Sequence, residues 1–186
     1  MSNKVSTNTI EALLFGAGRP LRLSEIRSLL ENNGISEDLA SIKKSINEIE
    51  ARYAETSLEI KDVASGYRLQ IKQGFSGCLS HLWNESAPRI SKALMETISI
   101  IAYKQPVTRG DIEDIRGVHV STSSVRFLLE REWIKVSGFR DVPGRPALYT
   151  TTKQFLDDFN VKNISSLPSL PDVVEQDEEA FLSEVI

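Results

Sequence analysis

The sequence predicts an α+β fold, mainly α, in which one small unit is laid down twice in tandem and followed by a flexible acidic tail. Three observations carry this. Apolar residues recur with a helical period in three short stretches and then alternate across a turn. The same order returns in the second half of the chain. The last fifteen residues, Asp172 to Ile186, hold six acids and no lysine or arginine. Three helices closed by a β-hairpin make a winged helix-turn-helix unit, in which the hairpin covers an apolar edge that the helices leave open.

In the first copy, Asn8 is placed to cap a helix, with Glu11 completing a capping box. Ile10, Leu13, Leu14 and Ala17 then share one face. Gly16 and Gly18 weaken the end, and Pro20 starts a new segment. Leu23, Ile26, Leu29 and Leu30 predict a second helix closed by Asn33 and Gly34. A third begins near Ser36, with Ile42, Ile46 and Ile49 on one side. Leu58 and Ile60, then Tyr67, Leu69 and Ile71, alternate about a turn at Ser65 and Gly66.

The second copy starts near Ser91, where Leu94, Ile98, Ile101 and Ala102 line a helix that ends at a Gln105–Pro106 turn. Pro20 to Ile26 and Pro106 to Ile112 have the same spacing. Thr108 and Asp111 predict a capping box, whereas Arg22, at the matching place in the first copy, cannot cap. The Arg22 helix is therefore expected to be the less sharply defined one. Ile112 and Ile115 complete the second helix before Gly117 ends it. Val125, Leu128 and Leu129 carry the third, with Arg126, Glu130, Arg131 and Glu132 toward solvent. Ile134 and Val136 pair with Ala147 to Thr150 as the wing, around a long loop from Gly138 to Pro146. Thr151 with Gln154 matches a capping box for a last helix bearing Phe155, Leu156 and Phe159.

These elements predict winged-helix domains at 1–72 and 90–162, a connecting segment at 73–89 and a disordered acidic tail at 163–186. Phe75, Leu79, Leu82 and Trp83 predict a short packed helix in the connection. In the tail, Phe181 and Leu182 are an occasional docking point.

Composition narrows the function. A hydrophobic fraction of 40% with 26% charged residues describes a soluble globular chain. No apolar run reaches the roughly 18 residues of a membrane helix, and Met-Ser-Asn-Lys opens no secretory signal. Cys78 is alone, which predicts no intrachain disulfide and a reducing, cytoplasmic setting. Cys78 with His81 makes a poor nucleophile–base pair, and Cys78 reads better as a small hydrophobe. His81 and His119 lack the short spacings of a zinc module. Phosphate-binding and dinucleotide fingerprints are absent, and carboxylates such as Glu113 and Asp114 sit in mixed-charge helices. The expectation is no catalytic, cofactor-binding or metal site.

Six of the 26 acids lie in the tail, leaving 20 against 22 bases, a body of about +2. Lys43, Lys44 and Arg52 face Glu48 and Glu50 in one candidate recognition helix, and Arg126 and Arg131 balance Glu130 and Glu132 in the other. Reading bases and phosphates needs more positive charge than this. At most a weak, non-specific DNA contact through Lys43, Lys44, Lys61, Arg68 and Lys72 is expected. A tandem winged-helix, DNA-binding transcriptional regulator stands as the alternative function. The candidate partner-binding residues are Gly144, Arg145, Pro146 and Tyr149: glycine and proline shape a rigid turn that presents arginine beside an aromatic ring. Two readings stand open. They meet a partner carboxylate or backbone, or they only order the wing, with Tyr149 in the core and Arg145 paired to Asp141.

The run from Ile101 to Arg109 (Ile-Ala-Tyr-Lys-Gln-Pro-Val-Thr-Arg), Asp111 to Gly117, Phe127 to Arg131, and Val142-Pro-Gly-Arg-Pro-Ala-Leu-Tyr to Thr152 with Phe155 and Leu156 resembles the bacterial segregation and condensation protein B family. Ile10 to Leu14 and Pro20–Leu21 extend the resemblance, which spans about residues 8 to 160. It implies two winged-helix domains, homodimerisation largely through the N-terminal one, and binding of the kleisin, segregation and condensation protein A, which bridges the heads of the SMC ATPase. It further implies a non-enzymatic adaptor in chromosome condensation and segregation, associated with the nucleoid. Glu132 and Thr150 depart from it, each standing where the family commonly has glycine, and the stretch His119 to Ser124 is slightly longer than usual.

Overall fold

The computed structural model describes residues 2–79 and 90–169. The first copy is α1 (Ser2–Ala17), α2 (Leu23–Asn32), α3 (Leu39–Tyr53) and an antiparallel hairpin of β1 (Leu58–Val63) and β2 (Gly66–Ile71). A 3-10 turn and the four-residue α4 (Ser76–Leu79) follow. The second copy is α5 (Lys92–Lys104), α6 (Arg109–Arg116), α7 (Thr122–Glu130), the hairpin β3 (Ile134–Phe139) and β4 (Ala147–Thr151), then α8 (Lys153–Asp158). The fold is thus α+β, mainly helical, with two winged-helix units.

Each copy closes around its own core. Ile10, Leu14, Ile26, Leu30, Ile42, Ile46 and Ile49 fill the first. Ile98, Ile101, Ile112, Leu128, Trp133 and Phe155 fill the second. Each such side chain contributes about 1.5–3 kcal/mol by leaving water. Trp133 also donates from Nε1 to Asp158 at 2.7 Å and meets the Phe159 ring edge-on, which pins α8 to its own unit.

The wings are anchored alike. Leu21, after Pro20, exchanges backbone hydrogen bonds with Tyr67 at 2.9 and 2.8 Å; Val107, after Pro106, does so with Tyr149 at 3.2 and 2.7 Å. The matched proline spacing therefore places one residue as a third partner for each hairpin. In the first copy this forces glycine at position 66: its φ is +136°, and a Cβ would stand 2.2 Å from the Leu21 carbonyl oxygen.

Several sequence expectations are corrected. α1 begins at Ser2, so Asn8 lies inside it and caps nothing; Glu11 instead takes Arg52 at 2.8 Å and the Tyr53 hydroxyl. Packing on α3 extends the helix, with Thr7 donating to the buried Ser45 hydroxyl at 3.1 Å. Asp38, rather than Ser36, starts α3, accepting from the Ser41 N–H at 2.7 Å. The first hairpin turns at Ala64 and Ser65, since Val63 already pairs with Gly66. β3 runs on to Phe139 through a bulge after Val136, shortening the expected loop. Thr152, not Thr151, caps α8; Thr151 stays in β4, where its N–H and hydroxyl both donate to Gln105 Oε1.

The remaining expectations divide. Arg22 gives α2 no side-chain cap, yet α2 is the longer of the two second helices, with Arg19 pairing Glu25 in its first turn. Phe75 is exposed and α4 buries nothing; Leu82 and Trp83 lie outside the described residues. Residues 163–169, assigned to the tail, pack in part: Leu167 rests against the second core, and Tyr103 donates to the Pro168 carbonyl at 2.5 Å. The rest of the tail, with Phe181 and Leu182, lies outside the described residues.

Candidate partner-binding surface

Local chemistry shapes the second wing. Gly144 (φ +85°) and Arg145 (φ +40°) adopt left-handed conformations, and Arg145 N–H bonds back to the Val142 carbonyl at 2.9 Å. Pro146 closes the loop by accepting the Arg140 N–H at 2.9 Å. The turn is therefore a defined shape. Its Arg145 guanidinium is exposed and has no hydrogen-bond or ion-pair partner among the described residues, so the pairing with Asp141 that one of the two readings offered is not formed. Val136, Phe139 and Val142 on the same wing are exposed apolar side chains; the sequence placed Val136 in the strand and Val142 in the motif but marked none of the three as exposed.

Tyr149 sits differently. Its ring is half-buried against the second core, and its backbone holds Val107. Tyr67 does the same work in the first copy, which supports the structural reading of this tyrosine. The four candidates are thus divided between a presented turn, Gly144 to Pro146, and a supporting strand.

The base of the wing is held by a residue that no local pattern marks. Arg140 donates to both Asp111 oxygens at 2.8 and 2.7 Å, while Asp111 also receives the Thr108 N–H at 2.8 Å in the expected capping box. The Arg140 guanidinium, then the Thr108 N–H, hold the Asp111 carboxyl down at about 2. Beside it, Glu113 gathers the Val120 N–H at 2.8 Å, Arg109 at 3.1 Å and His119 at 2.8 Å, and the first of these chiefly lowers its pKa. His119 is therefore bound into the α6–α7 turn, between Glu113 and Arg109. Ser121 caps α7, so the longer stretch from His119 is spent before the helix.

The basic residues are partly committed. Lys72 donates to the Tyr53, Ala54 and Thr56 carbonyls at 3.1, 2.6 and 2.7 Å, closing the C-terminal end of α3. Arg131 stacks over Phe127 and Trp133 at 5.2 and 5.7 Å. On α3, Lys43 and Lys44 are exposed beside the exposed Glu48 and Glu50. Among the described residues, no helix is long and apolar enough to cross a membrane.

Comparison with known proteins agrees with this architecture. The model of the family described as segregation and condensation complex subunit ScpB matches residues 8–170. A segregation and condensation protein B homolog of Coxiella burnetii is 47% identical over 167 residues, 89% of this chain and 79% of that protein. Segregation and condensation protein B of Clostridium tetani is 39% identical over 174 residues, 93% of this chain and 90% of its own. A solved dimer of an ScpB N-terminal domain complexed with ScpA peptide is 25% identical and aligns over 47% of this chain and 99% of that chain, with a TM-score of 0.39. With a family match across both winged-helix units, and relatives that share so much of its length, this chain belongs to the segregation and condensation complex subunit ScpB family and not to the transcriptional regulators.

Proposed function

We propose that this chain is a non-enzymatic adaptor that dimerises through residues 1–72 and binds the kleisin, segregation and condensation protein A, through residues 90–162. As an ScpB family member it is an accessory subunit in chromosome segregation and condensation. The kleisin connects it to the SMC ATPase, and it works in the cytoplasm at the nucleoid. The observation that carries this reading is the family match over residues 8–170.

Two features of the surface support it. Arg145, without a partner among the described residues, stands on a shaped turn with exposed Val136, Phe139 and Val142, a combination of guanidinium and apolar groups that loses little entropy on docking. On the first unit, Phe15 of α1 is 74% exposed and Leu39 of α3 is 41% exposed, apolar surface that a second copy would cover. DNA contact is at most weak and salt-dependent, given the balanced charge of α3 and α7.

Calorimetry of the whole chain against the kleisin of the same organism tests the partner, and sedimentation of residues 1–72 tests the dimer. Saturable binding and a dimer are expected. Heat no greater than dilution, or a monomer at tens of micromolar, rejects the corresponding half.

A further inference from the structure

The two cores share no residue, yet the first wing is seated on α8 of the second unit. At the hairpin tip, the Ser65 N–H donates to Asp157 Oδ1 at 2.9 Å. From β2, Arg68 reaches the Asp157 carbonyl at 3.1 Å and Asn160 Oδ1 at 2.8 Å. Lys162 pairs with Asp62 of β1 at 2.6 Å. We propose that this junction is a polar latch, opened by charge screening without unfolding either unit, which sets the spacing of the two wings.

Both jaws are rigid. Gly66 lies hard against Leu21, so the Ser65 tip is fixed to the first unit. α8 is capped by Thr152 and held by the Trp133–Asp158 bond, so Asp157 is fixed to the second. Among the described residues, the hydrogen bond that the Asp157 carboxylate accepts comes from the other unit, from the Ser65 backbone N–H, although Asp157 is just 5% exposed. A carboxylate that deep needs a donor or water, and opening supplies the water.

The seat itself is charged and loosely filled. A cleft of about 790 Å³ lies along one side, lined by Glu59, Lys61, Gln70 and Asn160, and another of about 420 Å³ lies by Ser65, Lys135, Lys153 and Asp157. The Ser65 and Arg68 bonds to Asp157 are partly buried, while the Lys162–Asp62 pair is 61% and 36% exposed, the kind of bond that salt weakens. Interfaces between units of one chain move by default unless they are large and apolar, and this one is bridged by polar bonds. Because α8 follows β4 directly, release at Asp157 frees the second wing as one body with its unit. Arg68, counted on sequence grounds toward a DNA contact, is used here instead.

The test is energy transfer within the full-length chain. Cys78→Ser removes the native thiol, dyes go on Glu48→Cys of α3 and Glu130→Cys of α7, and an excess of unlabelled chain keeps the signal intramolecular. Transfer is expected to change on raising salt while the circular dichroism melt stays unchanged. Arg68→Ala and Asp62→Lys should each reproduce the high-salt value at low salt. Asp62→Lys with Lys162→Asp should restore the parent value, which a merely local role for either residue would not do. Transfer that is indifferent to salt and to Arg68→Ala in folded protein overturns the latch, as does a charge swap that fails to restore it.

Discussion

Arg140 grips both carboxylate oxygens of Asp111, 29 residues earlier, and so ties the base of the second wing to the first turn of α6. The same carboxylate caps the helix by taking the Thr108 N–H. One acid therefore joins two elements that the chain order separates.

That junction is expected to be acid-sensitive. Asp111 titrates at about 2 in the folded chain against an ordinary 3.8, so its contribution is complete above about 4 and is lost as pH falls toward 2. With 28% of the side chain exposed, the contribution is on the order of 1–2 kcal/mol after screening. Asp111→Asn should lose that much at pH 7 in urea melts, and its deficit against the native chain should shrink between pH 4 and 2. A deficit independent of pH would assign the stabilisation elsewhere.

Gly66→Ala should destabilise the first unit by at least about 2 kcal/mol, from positive-φ strain together with the clash on Leu21. Gly138→Ala, where a Cβ meets nothing, is the control and should cost far less. Thermal melts of the two variants decide it.

Glu132 has φ +55°, and it occupies a place where the family that the sequence resembles commonly has glycine. A β-carbon is disfavoured there, so Glu132→Gly should raise stability by about 0.5–1 kcal/mol, the relief of strain less the added freedom of the unfolded chain. A lower midpoint in denaturant would show that the glutamate side chain contributes more than its backbone costs.

Arg145→Ala should weaken kleisin binding by about 1–2 kcal/mol while the circular dichroism melt is unchanged, since its exposed guanidinium has no hydrogen-bond or ion-pair partner among the described residues. Unaltered affinity in folded protein removes Arg145 from the site.

Truncation should separate two parts of the C-terminal segment. Ending the chain after Pro171 removes an acidic run whose sequence predicts no packing face and should leave the melting temperature within a few degrees. Ending it after Lys162 also removes Leu167 and the Pro168 acceptor of Tyr103, and should lower it further. Equal melts would show that 163–169 contributes no stability.

The sequence by itself determined the repeat, the two cores and most helix boundaries, because periodicity and capping act within one or two turns. Ile10, Leu14, Ile42 and Ile46, or Ile98, Ile101, Ile112 and Leu128, are apolar at helical spacing and are all buried. Thr108 and Asp111 were legible as a box because both lie in one turn. The wing turn at Gly144 was legible for the same reason, while its neighbours Val136, Phe139 and Val142 could not be told from core strand residues, since alternation does not say which face stays uncovered.

Tertiary structure decided where local rules tied or reached too far. Ser6, Thr7, Asn8 and Thr9 favour a helix start, yet the helix passes through them because Ser6 and Thr7 are buried on the way and Thr7 finds Ser45 on α3. Thr151, with Gln154 three residues on, reads locally as the cap; the register of β4 and the Gln105 acceptor claim it and leave the cap to Thr152. Arg140 and Arg145 are both wing arginines, and only the folded distance to Asp111 makes one structural and leaves the other without a partner among the described residues. The seat of Ser65 on Asp157 joins residues 92 apart, a relation that no local propensity can encode because it exists only once both units are folded.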